Sequence, residues 1–277
     1  MKMNTLAASL ILTGAFGLST LSATANAHVH ENAALDNAVT SDFRQTQNSA
    51  RDKYRHPKET IEFFDVQPTD TVIELWPGGG WYAEILAPYL ANKGHYIGGN
   101  FNANPDDEKQ RNGYRAKAGK KFEKWIADNQ AKLGNASTVT FDPPSFYAMG
   151  DDNSADVVLT FRNLHNWAMK GYLEPVFDSA YKVLKSGGTF GIVEHRANPG
   201  MDPKTGYMDQ AQMIKLAEKA GFTFVESSEI NANAKDTKDY PKGVWTLPPR
   251  LALDDQDKEK YLAIGESDRM TLKFIKK

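Results

Sequence analysis

The chain has 277 residues, no cysteine, and 33 Lys and Arg against 35 Asp and Glu. A balance so close to neutral argues against a nucleic-acid partner, which calls for a basic surface. The lack of cysteine excludes disulfides, Cys-based zinc sites and thiol nucleophiles.

Residues 1–27 read as a secretory signal peptide. Lys2 precedes the apolar run LAASLILTGAFGL at 6–18, which is too short to span a bilayer, and Ala25-Asn26-Ala27 supplies an A-x-A site. Cleavage after Ala27 leaves 250 residues, with 32 Lys and Arg against 35 Asp and Glu, and implies a periplasmic or secreted protein. No later stretch approaches the ~18 apolar residues of a membrane span. Residues 28–50 are polar and without periodicity, and are expected to be a flexible start running into a first helical segment. The folded domain is expected over 51–277.

A helix is predicted over HPKETIEFFDV (56–66), with Pro57 in its first turn and Glu59 at the positive end of the dipole. TVIEL (71–75) reads as a strand, WYAEILAPYLANKG (81–94) as a helix ended by Gly94, and HYIGGN (95–100) as a second strand. Asn104-Pro105-Asp106-Asp107-Glu108 is a strong helix start, and that helix is predicted to reach Gly134. Its basic run, Arg115 to Lys124, is expected to be a solvated face. STVTFD (137–142) and the largely apolar ADVVLTF (155–161) are strands, the latter expected to be buried on both faces, followed by a helix over about 170–185 that stops at Ser186-Gly187-Gly188. TFGIVEH (189–195), the capped helix MDQAQMIKLAEKAG (208–221), and the strands FTFVESSEI (222–230) and RMTLKFIK (269–276) complete the chain.

Alternating strands and helices imply an α/β, doubly wound, mostly parallel sheet with helices on both faces. The last two strands lack a well-formed helix between them, which suggests a hairpin and one antiparallel strand. The segment 231–266 is long for a connection and contains GVWTLPP (243–249), the profile of a functional lid.

In such a sheet, ligands bind beyond the carboxyl ends of the strands. The first strand ends in ELWPGGGW (74–81), whose glycines let backbone N–H groups approach a ligand at a helix start. Gly78-Gly79-Gly80-Trp81-Tyr82-Ala83 matches the G-x-G-x-x-A pattern of dinucleotide sites, but the expected acid about 20 residues on is absent. The alternative is S-adenosylmethionine (SAM). Glu74 would face its methionine end, Pro77, Gly78, Gly79 and Gly80 would pass beneath it, Asn100 would reach the ribose, and Asp142 the adenine. Pro77, with its fixed φ, is expected to set the turn that a first glycine would otherwise make at position 76.

Five stretches, SARDKYRHP (49–57), VIELWPGGGWYAEILAPYL (72–90), DVVLTFRNLHNW (156–167), LKSGGTFGIVEHR (184–196) and GESDRMTLKFIK (265–276), carry a resemblance. The chain resembles class I SAM-dependent methyltransferases, and more narrowly an exported bacterial group of predicted methyltransferases, over about residues 42–277. That resemblance implies a Rossmann-like seven-stranded sheet with an antiparallel last strand, and SAM as cofactor. It supplies no acceptor.

FRNLHNW places Arg162, Asn163, His165 and Asn166 just past a strand end, where a methyl acceptor would lie. His165 is the candidate general base, because imidazole titrates near neutral pH. Glu194, His195 and Arg196 end a further strand at the same rim, where they could bind an anionic substrate group or brace the loop, and Tyr54, Arg55 and His56 could close over the cofactor. The six histidines, His28, His30, His56, His95, His165 and His195, show no H-x-x-x-H or H-E-x-x-H spacing, so no metal site is predicted. Three functions stay open: a SAM-dependent methyltransferase acting on a small or medium acceptor, a non-catalytic binding protein with the same fold, and an NAD(P)-dependent oxidoreductase.

Overall fold

The computed structural model describes residues 33–277. The expected signal peptide and its cleavage site lie outside them. Among the described residues no helix is long and apolar enough to cross a membrane.

The described residues form seven strands: β1 Thr71–Leu75, β2 His95–Asn100, β3 Ser137–Thr140, β4 Ala155–Phe161, β5 Leu184–His195, β6 Phe222–Ser228 and β7 Arg269–Lys276. They form one sheet in the order β3-β2-β1-β4-β5-β7-β6. The first five run parallel, and β7 lies antiparallel between β5 and β6. The predicted doubly wound sheet and its antiparallel last strand are therefore present. A short helix, Lys258–Ile264, interrupts the connection within the β6–β7 hairpin.

The two faces of the sheet bury separate clusters. Along β4, Val158 belongs to one cluster while Val157 and Leu159 belong to the other. Burial on both faces is why the centre of this strand, Val157 to Leu159, is continuously apolar instead of alternating.

Three local expectations are corrected. The long helix predicted from Asn104 to Gly134 is three pieces, Glu108–Arg111, Tyr114–Asp128 and Gln130–Leu133, the first break falling at Gly113. The helix Leu173–Val183 ends before Ser186, because Leu184 is already extended and paired with Ala155 as the start of β5. Residues 33–50, expected to be flexible, are folded against the domain. Their helix over 33–39 buries Leu35 and Ala38, two apolar residues one turn apart. Farther along, Arg44 grips Asp52 through two hydrogen bonds of 2.6 and 2.8 Å, its guanidinium lying 5.2 Å from the Trp81 ring centre.

After β1 the chain builds outward through β2 and β3, then crosses to place β4 on the other side of β1. The sheet therefore has its switch point between β1 and β4, where crevices form. The long 231–266 segment folds back over that point. Its 3-10 turn Gly243–Thr246 depends on Gly243 at φ +55°, where an added Cβ would meet the Thr205 carbonyl.

Candidate functional site

A cavity of about 350 Å³ opens at the carboxyl ends of β1, β4 and β5. The glycine turn forms one wall and Asn48, Arg51 and Arg55 of the N-terminal segment another. The 231–266 segment contributes Trp245 and residues 247–250, so this segment does cover the site.

At the end of β1, Glu74 is 3 % exposed and its Oε2 accepts a 2.7 Å hydrogen bond from the Tyr96 hydroxyl. Burial pushes its pKa up to about 7. Gly78 and Gly80 take φ of +59° and +82°, and an added Cβ at Gly79 would meet nothing within 4 Å. The outer face of the turn, with Pro77, Gly78 and Gly79, is thus open to the cavity. Gly80 lies behind it, donating from its N–H to the Pro77 carbonyl at 2.9 Å.

Trp76 departs from expectation. Pro77 does not replace the missing first glycine; Trp76 itself adopts the left-handed conformation, at φ +48°. Such a conformation costs roughly 1–2 kcal/mol for a residue with a Cβ, and tertiary packing offsets it. The indole Nε1 donates to the Phe141 carbonyl at 2.8 Å, and the ring packs 4.8 Å from Phe101 and 4.9 Å from Trp167. Since β2 lies between β1 and β3, an indole reaching from the end of β1 to the residue after β3 spans the end of β2.

Asn100 and Asp142 are correspondingly not presented as predicted. The Asn100 amide turns inward and donates to the Gly119 carbonyl at 3.0 Å. Asp142 is bound by Arg115 at 2.7 Å and by the Asn102 N–H at 3.2 Å. Arg115, expected to be solvated, also stacks 4.8 Å over Trp76. A second cavity of about 660 Å³, lined by Asn102, Arg115 and Asp142, lies beyond that stack.

On the β4 side, Arg162 occupies a left-handed turn at φ +62°. Asn163 braces the site: its Nδ2 donates to the Leu75 carbonyl at 2.8 Å, tying the end of β4 to the end of β1. His165 and Glu194 form a buried pair, with Nδ1 3.1 Å from Oε1. Glu194 also accepts from the backbone N–H of Leu164 at 2.6 Å and of His195 at 2.8 Å. Among the described residues His165 Nε2 has no hydrogen-bond partner, and it stands in the cavity wall, the position of a proton acceptor. His195 is held by the Ser267 hydroxyl at 2.5 Å. Burial, then the neighbouring His165 and Arg162, push its pKa well below 6.5 and keep it neutral.

His165, Glu194 and His195 offer ligand atoms all within 4.8 Å of one another, a grouping no sequence spacing signals. Two features favour a proton-handling pair over a cation site. The carboxylate already gathers three donors, and guanidiniums crowd the same wall.

Those guanidiniums surround Glu266. Its carboxylate receives Arg51 Nε at 2.6 Å, Arg55 Nε at 3.0 Å and Arg269 Nη1 at 3.3 Å. Burial alone would raise its pKa, but Arg55, Arg269, Arg162 and Arg51 outweigh that and hold it at about 2. Tyr54 and His56 do not line the cavity, and Arg196 is turned away onto Glu229 and Asp268 at 2.6 and 2.9 Å. Glu194 stands at the rim the sequence points to, whereas Arg51 and Glu266 carry no prediction of their own. The one-turn spacing of Arg51 and Arg55 in SARDKYRHP was the available signal, while Glu266 is distant in sequence from both.

No protein-family model matches the sequence, and no curated protein matches it. Solved structures do. The (4+2)-cyclase SpnF aligns with TM-score 0.52 and 15 % identity, over 90 % of this chain and 94 % of its own. A candidate sarcosine dimethylglycine methyltransferase from Galdieria sulphuraria aligns with TM-score 0.50 and 15 % identity, over 84 % of this chain and 88 % of its own. A SAM-dependent methyltransferase from Aquifex aeolicus gives TM-score 0.48 and 16 % identity, over 66 % and 87 %. The chain has the class I methyltransferase fold. Within that fold the glycine turn, Glu74 and the His165–Glu194 pair share one cavity at the switch point. One of these structural neighbours is named for a cyclisation, so the fold by itself does not fix the reaction.

Proposed function

We propose that the chain is a SAM-dependent methyltransferase acting on a small or medium-sized acceptor. The observation that carries this reading is the buried Glu74 behind an open glycine turn, with the His165–Glu194 pair facing the same cavity. Location outside the cytoplasm and membership of an exported bacterial group belong to the same proposal, supported by the signal-peptide pattern of residues 1–27.

The residues fit the amino-acid end of SAM. Glu74 is an acceptor for its ammonium, and the exposed backbone of Gly78 and Gly79 allows close approach. Bound SAM supplies a sulfonium-activated methyl group, whose carbon–sulfur bond breaks with its electron pair left on sulfur. His165 Nε2 takes the proton that the acceptor loses, and Glu194 holds the ring through Nδ1. Asn163 keeps the ends of β1 and β4 together, and Trp245 and residues 247–250 limit access of water.

The nucleoside end differs from the usual arrangement, because the Trp76 indole shares its trench and the Asn100 amide nitrogen is spent on the Gly119 carbonyl. Replacing Trp76 with Gly is expected to tighten SAM binding several-fold while costing roughly 3–5 kcal/mol of stability from lost packing. Calorimetric titration and thermal melting of both proteins test this. Weaker SAM binding by the variant would show that the indole is part of the binding wall.

Titration of the wild-type chain with SAM, S-adenosylhomocysteine and NAD(P) tests the function itself. Heat with SAM and S-adenosylhomocysteine, and none with NAD(P), is expected. Silence with both sulfur ligands up to millimolar concentration overturns the reading. Heat with NAD(P) alone would restore the oxidoreductase alternative.

A further inference from the structure

The cavity that holds the His165–Glu194 pair carries more positive charge than its own acids neutralise. Arg51, Arg55, Arg162 and Arg269 converge on one carboxylate, Glu266, which is 4 % exposed. Glu266 does not satisfy them. Arg51 Nη2 and Arg55 Nη2 are buried donors with no hydrogen-bond partner among the described residues, and Arg55 is 2 % exposed. The Arg162 side chain makes no hydrogen bond with any described residue, although it lines the cavity beside His165. Unpaired buried donors are costly to a folded chain, and guanidiniums match planar or tetrahedral oxyanions with two parallel bonds.

The remaining acids do not close the balance. Glu194 is engaged by His165 and two backbone N–H groups, and Glu74 lies on the glycine-turn side, bonded to Tyr96. SAM makes the imbalance worse, because its sulfonium and ammonium outnumber its single carboxylate. A negative charge is missing from the filled site, and only the second substrate remains to bring it.

Resting on the methyl-transfer reading above, we propose that the methyl acceptor is a small oxyanion, a carboxylate or a phosphate, whose charge is taken by Arg162, Arg51 and Arg55. The acceptor's anionic group would then be fixed on the arginine side of the cavity, with its reacting atom turned toward His165 Nε2.

The test is titration of the purified chain with inorganic phosphate and, separately, with acetate, at constant ionic strength. It is run without SAM and again with saturating S-adenosylhomocysteine, in wild type, Arg162→Met and Arg51→Met. Saturable binding of at least one anion is expected, weakened roughly tenfold or more by either substitution, as loss of a charge-assisted hydrogen bond implies. SAM affinity should stay within about twofold in both variants, since the bonds removed are not those of the cofactor. Thermal melting confirms that each variant is folded, and Arg51, whose side chain is 23 % exposed, provides a readout if Arg162→Met does not fold.

No anion binding at tens of millimolar, or equal affinity in all three proteins, overturns the proposal. It is also overturned if phosphate competes with SAM and both variants lose SAM binding, because the arginines would then serve the cofactor's own carboxylate. Anion binding that follows the arginines in a chain that never binds SAM would keep the oxyanion site and reject methyl transfer.

Discussion

Replacing Glu74 with Gln is expected to weaken SAM binding by roughly ten- to a hundredfold at about pH 7.5, the loss of one charge-assisted hydrogen bond in a buried site. Among the described residues, Glu74 makes a single hydrogen bond, from Tyr96, and its other oxygen is available to a ligand cation. Burial raises its pKa from 4.5 to about 7, so near neutral pH it is poised between two charge states. A cationic ligand selects the ionised form. Below about pH 7 a proton must leave for SAM to bind, and wild-type affinity should fall by up to about tenfold per pH unit. The Gln variant should lose that slope, which calorimetry at two pH values detects.

The same substitution has an opposite effect on stability. The folded chain keeps a proton on Glu74 that the unfolded chain releases between pH 4.5 and about 7. Stability contributed by the neutral acid is therefore fully present below 4.5 and lost as pH rises through about 7. Gln cannot ionise, and can still accept the Tyr96 hydrogen bond. Above pH 7 the variant is expected to be more stable than wild type by up to about 3 kcal/mol. Urea unfolding at alkaline pH measures this. Unchanged SAM affinity together with unchanged stability would remove Glu74 from the site.

Replacing His165 with Ala is expected to cut methyl transfer by roughly 10²–10⁴-fold while leaving SAM binding within about twofold. Labelled SAM with a panel of small carboxylates and phosphates provides the assay, and added imidazole should restore part of the rate. Glu194→Gln separates positioning from proton transfer. Its amide nitrogen would oppose the Leu164 N–H in one orientation, or the His195 N–H and His165 Nδ1 together in the other, costing roughly 1–3 kcal/mol of stability, and in both the negative charge that steadies a protonated His165 ring is lost. Turnover should fall with little change in KM. If transfer proceeds unchanged in both variants, His165 is not the base.

How far these residues could be read in advance depended on the range of the interactions that place them. TVIEL, HYIGGN, ADVVLTF and RMTLKFIK match β1, β2, β4 and β7, because composition and periodicity act over a few neighbouring residues. His165 could be proposed as a base because FRNLHNW follows a strand whose carboxyl end faces the switch point. Its partner could not be read this way: Glu194 reaches His165 only because β4 and β5 are neighbours in the sheet. Asn163 was grouped with the reacting residues, yet its amide closes the gap to Leu75, a contact 88 residues distant in sequence.

The glycine turn shows the boundary most clearly. Gly78 and Gly80 require φ values that a Cβ disfavours, so their sequence alone announces a tight turn at the end of a strand. Trp76 holds a similar φ for a reason no local rule contains: Phe101, Phe141, Trp167 and Arg115 converge on its indole from four separate segments. The sequence by itself determined where the strands fall along the chain, the turn, its acid and the histidine beyond β4, since each is set by neighbours along the chain. Only the tertiary structure decided that Asn100 faces inward, that Trp76 spans the end of β2, and that four arginines meet one buried Glu266. Charge balance inside a cavity is a sum over side chains up to 215 residues apart, and no stretch of sequence carries that sum.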